Sequence, residues 1–472
     1  MTATEPEQKT RPRGVDRFFG LTSRGTTVPR ELRAGLTTFM SMAQIIILNP
    51  LILSGAADVN GEYLSHSALT TMTALSAGLA TIVMGLVGRV PLALATALSV
   101  TAVLTYQVVP QVTWAQAMGL IVIEGLIVFV LALTGVRTKI MNAIPKDLRF
   151  GITMGLGMFL SLIGLVHAGF VTRRPDSAGT EVPVQLGHDG VLGGWPIAVF
   201  VIGLIIMISL FVRHVPGAMV IAILSATVAA IVGSSLAEPE EWGLVEPTVP
   251  SSVTSLPDFS LLGSADPIGA ITGIGVLTLL LLTFTLLLSG FFDAMGAIMA
   301  CGHDAGMTDE NGKVRNLRRL LSVDGAAHAF GGLTSSGANA VYVESVTGVH
   351  DGARTGLASL MAGGMFLGTM FFTPVVELVP QQAAAPALVL VGSLMIMQAK
   401  NIDWGDFEIT IPTFLIVALI PFTYSVTAGV SAGVIAYVVI KAVKGKWREP
   451  GLFLWGLSVV CALYFVLPMM GA

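Results

Sequence analysis

Gly331-Gly332-Leu333-Thr334-Ser335-Ser336-Gly337-Ala338-Asn339 opens one apolar segment of this chain. Val90-Pro91-Leu92-Ala93-Leu94-Ala95-Thr96-Ala97-Leu98-Ser99 opens another, far upstream. Each starts with an extended-looking run containing Gly, Ser, Thr or Pro and then turns helical. Inside a bilayer such a start is tolerated only where protein or a cavity covers the backbone. The pair therefore predicts two broken spans, each a half-helix whose first N–H groups can meet a polar ligand. The alternative for each is a merely kinked helix.

The surrounding composition makes a bilayer the right frame. The chain has 472 residues, 54% hydrophobic and 11% charged, with a mean hydropathy of +0.81. Soluble domains carry about 25% charged residues, so a soluble enzyme and a disordered protein are both excluded. Lys and Arg number 25 against 29 Asp and Glu; no basic domain exists, and nucleic acid is not an expected partner. Cys301 and Cys461 are too few for a disulfide scaffold or a cysteine-ligated metal; no metal and no cofactor is expected. The 53 Gly and 23 Pro, many inside apolar runs, suggest closely packed and broken transmembrane helices.

Apolar segments long enough to span lie near 33–54, 66–88, 92–109, 115–136, 147–169, 196–213 and 217–237. A second set lies near 269–301, 318–332, 337–350, 354–374, 384–399, 408–424 and 425–443. The stretch 452–470 reads as a further span, a re-entrant piece, or part of another division of the last hundred residues. With the N-terminus in the cytoplasm, alternation of these spans puts every Lys and Arg on the cytoplasmic side except Arg173 and Arg174. Arg137 is among the residues so placed. The loop 238–268 has no Lys or Arg but carries Glu238, Glu240, Glu241, Glu246, Asp258 and Asp266, and it falls outside. It divides the chain into halves of seven spans, and an odd number inverts the second half relative to the first. The expected fold is thus an all-α polytopic membrane protein of two inverted seven-span repeats, about 14 segments, with short extended stretches in spans 3 and 10. In such folds the binding site lies near midplane where the repeats meet.

Charges that alternation cannot move to an edge cost about 2.5–3.5 kcal/mol or more at the bilayer centre, so they are site candidates. Asp293 follows Phe291 and Phe292, two aromatics that could wall a pocket. Glu344 lies in the helical half of span 10, beside Tyr342 and Ser345. Asp324 and His328 are four apart on one face of span 9; they read as a supporting pair, Asp324 holding the broken half-helix and His328 packing. Glu124, in mid-span 4, reads as bonded to a hydroxyl. No Walker or His-Glu-x-x-His motif is present, so an enzyme is not expected. Buried carboxylates without a Lys or Arg partner can be neutralised by a proton, which favours proton over sodium coupling.

Several segments together resemble a known family. They are Phe18-Phe19-Gly20-Leu21, Glu31-Leu32-Arg33-Ala34-Gly35-Leu36-Thr37-Thr38-Phe39, Met42-Ala43-Gln44, Asn49-Pro50 and Gly135-Val136-Arg137. Tyr342-Val343-Glu344-Ser345, Gly352-Ala353-Arg354-Thr355-Gly356-Leu357 and Pro421-Phe422-Thr423-Tyr424-Ser425 carry the resemblance furthest. They are similar to the nucleobase–cation symport family (the xanthine/uracil permease superfamily), and within it to the AzgA-like branch of adenine, guanine and hypoxanthine permeases. The resemblance implies a core domain at 33–136 and 269–374 and a gate domain at 137–237 and 375–450. These are flanked by a cytoplasmic tail at 1–32, the acidic outer loop 238–268 and a C-terminal apolar segment at 451–472. It implies a multi-pass protein of the plasma membrane that imports a purine base with a proton by an elevator-like movement of core against gate, with a homodimer as an open alternative. It places substrate at Asp293, Glu344, Phe291, Phe292, Gln44, Ala97, Ser99, Thr101, Ser336, Gly337 and Asn339, and the coupling proton at Asp293 and Glu344. Three positions depart from the branch: Gly290 replaces a second acid, Thr101 an asparagine, and Gln44 a common tyrosine. They leave the base open among hypoxanthine, guanine, adenine, xanthine and uracil. An anion carrier or channel of sulfate or bicarbonate type on the same architecture is the other reading.

Overall fold

The computed structural model describes residues 14–173, 184–188, 190–236, 250, 252–291, 297–298, 301–302, 305–308 and 314–469. Span 1 is α1 (Val28–Met42) followed by α2 (Ile45–Leu53), with a kink at Ala43–Gln44. Then come α3 (His66–Val83), strand β1 (Leu94–Thr96), α4 (Leu98–Val103), α5 (Trp114–Thr134), α6 (Val136–Ala143) and α7 (Lys146–His167). A hairpin of β2 (Val171–Arg173) and β3 (Val184–Leu186) leads to α8 (Trp195–Val212) and α9 (Ala218–Leu236). The second half holds α10 (Pro267–Gly273), α11 (Val276–Gly290), α12 (Leu317–Leu333), β4 (Asn339–Val341), α13 (Ser345–His350) and α14 (Gly356–Thr369). It ends with α15 (Gln381–Ile396), α16 (Phe407–Thr423), α17 (Val426–Val443) and α18 (Gly451–Met469). Among the described residues, 9 helices are long and apolar enough to cross a membrane.

Local chemistry explains where these elements begin and end. Thr113 and Gln116 form a capping box at the start of α5, and Gly135, at φ 75°, ends it and turns the chain into α6. Packing falls into two groups. In one, α5 lies against α12, α3 against α14, and α1 against α14; in the other, α7 lies against α15 and α16, and α8 against α9 and α15. Glycine lets the α5–α12 backbones approach closely: a Cβ on Gly125 would sit 2.1 Å from the Ala329 nitrogen.

Loops that alternation assigns to one face do bond to one another. The Arg24 guanidinium donates to the carbonyls of Arg89 (3.0 Å) and Arg354 (2.9 Å), and Arg33 pairs with Asp351 at 2.7 Å. On the opposite face, Gly263 N–H meets Leu333 O at 2.9 Å and Asp266 N–H meets Ala115 O at 2.8 Å, so the described part of the acidic loop lies across the first helix group.

One detail differs from the sequence expectation. The segment 269–301 is not one continuous helix. Asp266 caps a separate short α10, and extended backbone at Ile274 interrupts the chain before α11. The C-terminal apolar stretch is a helix that runs antiparallel along α17. Trp455 Nε1 donates to Trp447 O at one end (2.9 Å), and the Tyr464 hydroxyl meets that of Ser425 at the other (3.4 Å). Its 19 residues reach about 28 Å, long enough to span.

Outside the spans, burial pushes the Asp58 carboxyl up, but the N–H groups of Glu62, Trp114 and Asn60 outweigh it and hold it below its ordinary value. A depressed carboxylate stabilises the fold above its unfolded pKa, and that contribution is lost as pH falls through the folded one. Acidification below the ordinary carboxylate range should therefore loosen the 54–65 loop from Trp114, read as faster amide exchange there. Asp58→Asn should flatten the response, and an unchanged acid profile in that variant would refute the assignment.

Candidate functional site

The two broken segments meet. β1 and β4 pair antiparallel, with Leu94 opposite Val341, Ala95 opposite Ala340 and Thr96 opposite Asn339. The ribbon is extended by Ala97 N–H to Ala338 O (2.8 Å) and Tyr342 N–H to Ala93 O (3.0 Å). The Tyr342 hydroxyl donates to Thr96 O at 2.5 Å. Side chains close the outer edge of β1: Thr81 Oγ1 accepts from Leu94 N–H and donates to Leu94 O, and Ser345 Oγ accepts from Ala93 N–H. Extended backbone at this depth is thus satisfied inside the protein, as a bilayer requires. From the crossing, α4 continues through tighter and wider turns to Gln111, whereas α13 is six residues long.

Asn49 is the junction of the crossing. Its Nδ2 donates to Thr73 Oγ1 (2.8 Å) and Ser336 O (2.9 Å), and its Oδ1 accepts from Thr101 Oγ1 (2.9 Å). Asn339 is tied likewise, donating to Ser76 Oγ (2.6 Å) and Ala327 O (3.1 Å). Ser336 Oγ bonds Thr334 Oγ1 and Gly331 O. The polar groups of Thr101, Ser336 and Asn339 therefore hold the frame together. Gly337, at φ 89°, lies against Thr96 and Thr101, where a Cβ would come within 3.0 and 3.3 Å.

Other predicted residues are differently placed. Ala97 precedes α4 with extended backbone and brings no polar side chain to cap the first turn, which includes the buried Ser99. Gln44 sits at the span-1 kink, 1% exposed, and its Oε1 has no hydrogen bond among the described residues. Glu344 stands at the start of α13 and caps none of its N–H groups. Phe291 ends α11 with the Arg137 guanidinium 5.5 Å from its ring centre. Asp293 and Phe292 lie outside the described residues.

A buried charge network lies behind the crossing. Arg137 Nη1 pairs with Asp324 Oδ2 at 2.7 Å, and both side chains are 0% exposed. Arg137 also donates to Phe291 O at 3.3 Å. Alternation puts Arg137 on the cytoplasmic side, just past span 4. The Gly135 turn instead returns it under the core, because an unpaired buried Asp324 would be costly. Asp324 Oδ1 accepts the Val341 N–H at 3.2 Å and so steadies β4. Glu124 bonds His328 Nδ1 (3.0 and 3.2 Å) rather than a hydroxyl. The missing side chain of Gly290 leaves room here: a Cβ would lie 3.0 Å from His328 Cε1 and 3.2 Å from Glu124 Oε1. Neither a central asparagine nor an arginine just past a span announces its partner in sequence.

The paired broken spans and the order of the helices define a multi-pass membrane protein of two inverted seven-span repeats. The match to the Permease family over residues 29–432 shows that the chain belongs to that family. An adenine permease, AdeQ of Escherichia coli, is 34% identical, the alignment covering 96% of each chain. A guanine/hypoxanthine permease, PbuG of Bacillus subtilis, is also 34% identical over 95% of this chain and 99% of its own. Among solved structures, the transmembrane domain of a cyanobacterium bicarbonate transporter, BicA, matches with a TM-score of 0.60 at 18% identity. That match covers 86% of this chain and 97% of the other. It shows the shared fold.

Proposed function

We propose that the protein is a secondary transporter of the plasma membrane, N-terminus cytoplasmic, that imports a purine nucleobase together with a proton. Supporting this reading most is the combination of the polar crossing with near-full-length similarity to adenine and guanine/hypoxanthine permeases. A flat base would stack on Phe291 or Phe292. Asp293 or Glu344 would accept ring N–H groups, and the first turn of α4 would meet a carbonyl or ring nitrogen. A carboxylate that both accepts from the base and takes up a proton links the two ligands, as coupling requires. The helices around the crossing would form a core that slides against the group of α7, α8, α9, α15, α16 and α17. An anion carrier fits less well: the buried cation near the crossing, Arg137, is already neutralised by Asp324.

The test is uptake of labelled purines into vesicles with and without an imposed pH gradient. Asp293→Asn and Glu344→Gln should each lower gradient-driven uptake by about a hundredfold, on the scale of losing a charged hydrogen bond. Wild-type rates in both variants would remove these residues from the site. Anion-driven current without base uptake would overturn the substrate class.

A further inference from the structure

The charge network behind the crossing holds one more titratable pair than an ion-paired scaffold needs. Arg137 and Asp324 neutralise each other. Glu124 and His328 remain, both 0% exposed and 3.0 Å apart. With His328 neutral the four groups sum to one negative charge in a buried site; with His328 protonated they sum to zero. Buried net charge is costly, so this pair is a place where a proton is held or released at a large energetic difference.

We propose that the Glu124–His328 pair is a proton-binding site of the transport cycle, and that its proton is sensed at the crossing through Asp324. The link is short. His328 Nε2 lies 3.7 Å from Asp324 Oδ2 and makes no hydrogen bond among the described residues. Neutral imidazole that donates Nδ1–H to Glu124 turns a lone pair toward Asp324. Imidazolium turns an N–H toward it instead. Asp324 is the group that holds Arg137 on one oxygen and the Val341 N–H of β4 on the other. A proton on the pair therefore changes the pull on the strand that leads into α13, without contact between the proton site and the base.

Among the described residues, the charged groups facing His328 are Glu124 from α5, Asp324 from its own helix and Arg137 from α6. From α11 the neighbour is Gly290, which leaves the pair the space it occupies. From α4 the neighbour of that space is Val100. Among the described residues, the position is thus bordered by groups that are either fixed in an ion pair or apolar, and the proton has the pair as its site.

This inference rests on the proton-symport reading, and the experiment separates the two. Purified wild type and His328→Gln are placed in vesicles. Base counterflow, proton entry with base (followed by an internal pH dye), and base accumulation under a one-unit pH gradient are measured. Wild type should accumulate base about tenfold per coupled proton. His328→Gln should keep measurable, slower counterflow, carry fewer protons per base than wild type, and accumulate base to a lower level under the same gradient. Its base affinity should vary less with pH than that of wild type. Glu124→Gln, nearly isosteric, should behave alike and gives the readout should the first variant fold poorly. Proton entry and a pH profile equal to wild type in either variant overturn the proposal while leaving symport standing. Base transport by wild type without proton entry overturns both.

Discussion

Arg137→Ala should be among the most destabilising single substitutions in this protein, by about 3–5 kcal/mol, because it strands a buried carboxylate. The Arg137 guanidinium contacts Asp324 at 2.7 Å, Phe291 O at 3.3 Å and the Phe291 ring face at 5.5 Å. Alanine would leave the Asp324 charge at 0% exposure with the Val341 N–H as its remaining hydrogen bond to backbone. Arg137→Lys should recover only part of the loss, since one ammonium cannot reproduce the fork that spans Asp324 and Phe291 O. Removing the stranded charge should recover more: Asp324→Asn in the Arg137→Ala background keeps an acceptor for Val341 without the charge. Thermal unfolding of detergent-purified protein, followed by size exclusion, measures the series. An Arg137→Ala melting curve equal to wild type would show that the ion pair does not hold the core.

The same residue marks the limit of sequence reading. Alternation of spans groups loops that do bond one another, Arg24 with Arg89 and Arg354 and Arg33 with Asp351, because it follows a rule independent of tertiary contacts. The broken spans 3 and 10 were legible too, since Gly, Ser and Thr at the start of an apolar run have few other uses inside a membrane. What failed was partner assignment. Arg137 counts as a cytoplasmic charge by position, yet one glycine turn is enough to fold it inward. Glu31, in an exposed-looking amphipathic start, is 0% exposed; its carboxylate accepts the N–H groups of Arg354, Thr355 and Ala358 and so caps α14. Asn49 belongs to the crossing although it lies in span 1. Each depends on a contact about 180 to 330 residues away, which periodicity within a segment cannot encode. Thr101, Ser336 and Asn339 illustrate the converse: polar residues near a predicted site can be structural because buried polar atoms must find partners.

An aromatic cluster also joins the two helix groups. The Tyr106 hydroxyl, beyond α4, lies 3.1 Å from His167 Nε2 at the end of α7, and its ring packs edge-on against Tyr424. Tyr424 packs in turn on Phe159. These contacts join the helix continuing from the crossing to the group proposed as the gate, on the face opposite the Arg33–Asp351 pair.

Two glycine-to-alanine changes should move stability in opposite directions and so isolate the crossing. Both Gly331 and Gly364 lie inside helices, α12 and α14. Helix propensity alone predicts that Ala stabilises each by up to about 1 kcal/mol. At Gly364 a Cβ meets nothing within 4 Å, so Gly364→Ala should be neutral to stabilising. At Gly331 a Cβ would stand 1.9 Å from Gly337 O and 2.9 Å from Asn339 Nδ2. Neither side can give way. Gly331 O accepts the Ser336 N–H at 3.0 Å, Ser336 O is held by Asn49, and Ala338 O is held by the Ala97 N–H. Relieving the clash must therefore displace the β1–β4 ribbon. Gly331→Ala should cost about 3 kcal/mol or more, as overpacking against fixed backbone does, and base uptake should fall with it. Melting temperature and uptake measured on both variants decide the matter. A Gly331→Ala protein that melts and transports like Gly364→Ala would mean that the crossing is far more pliable than its hydrogen bonds imply.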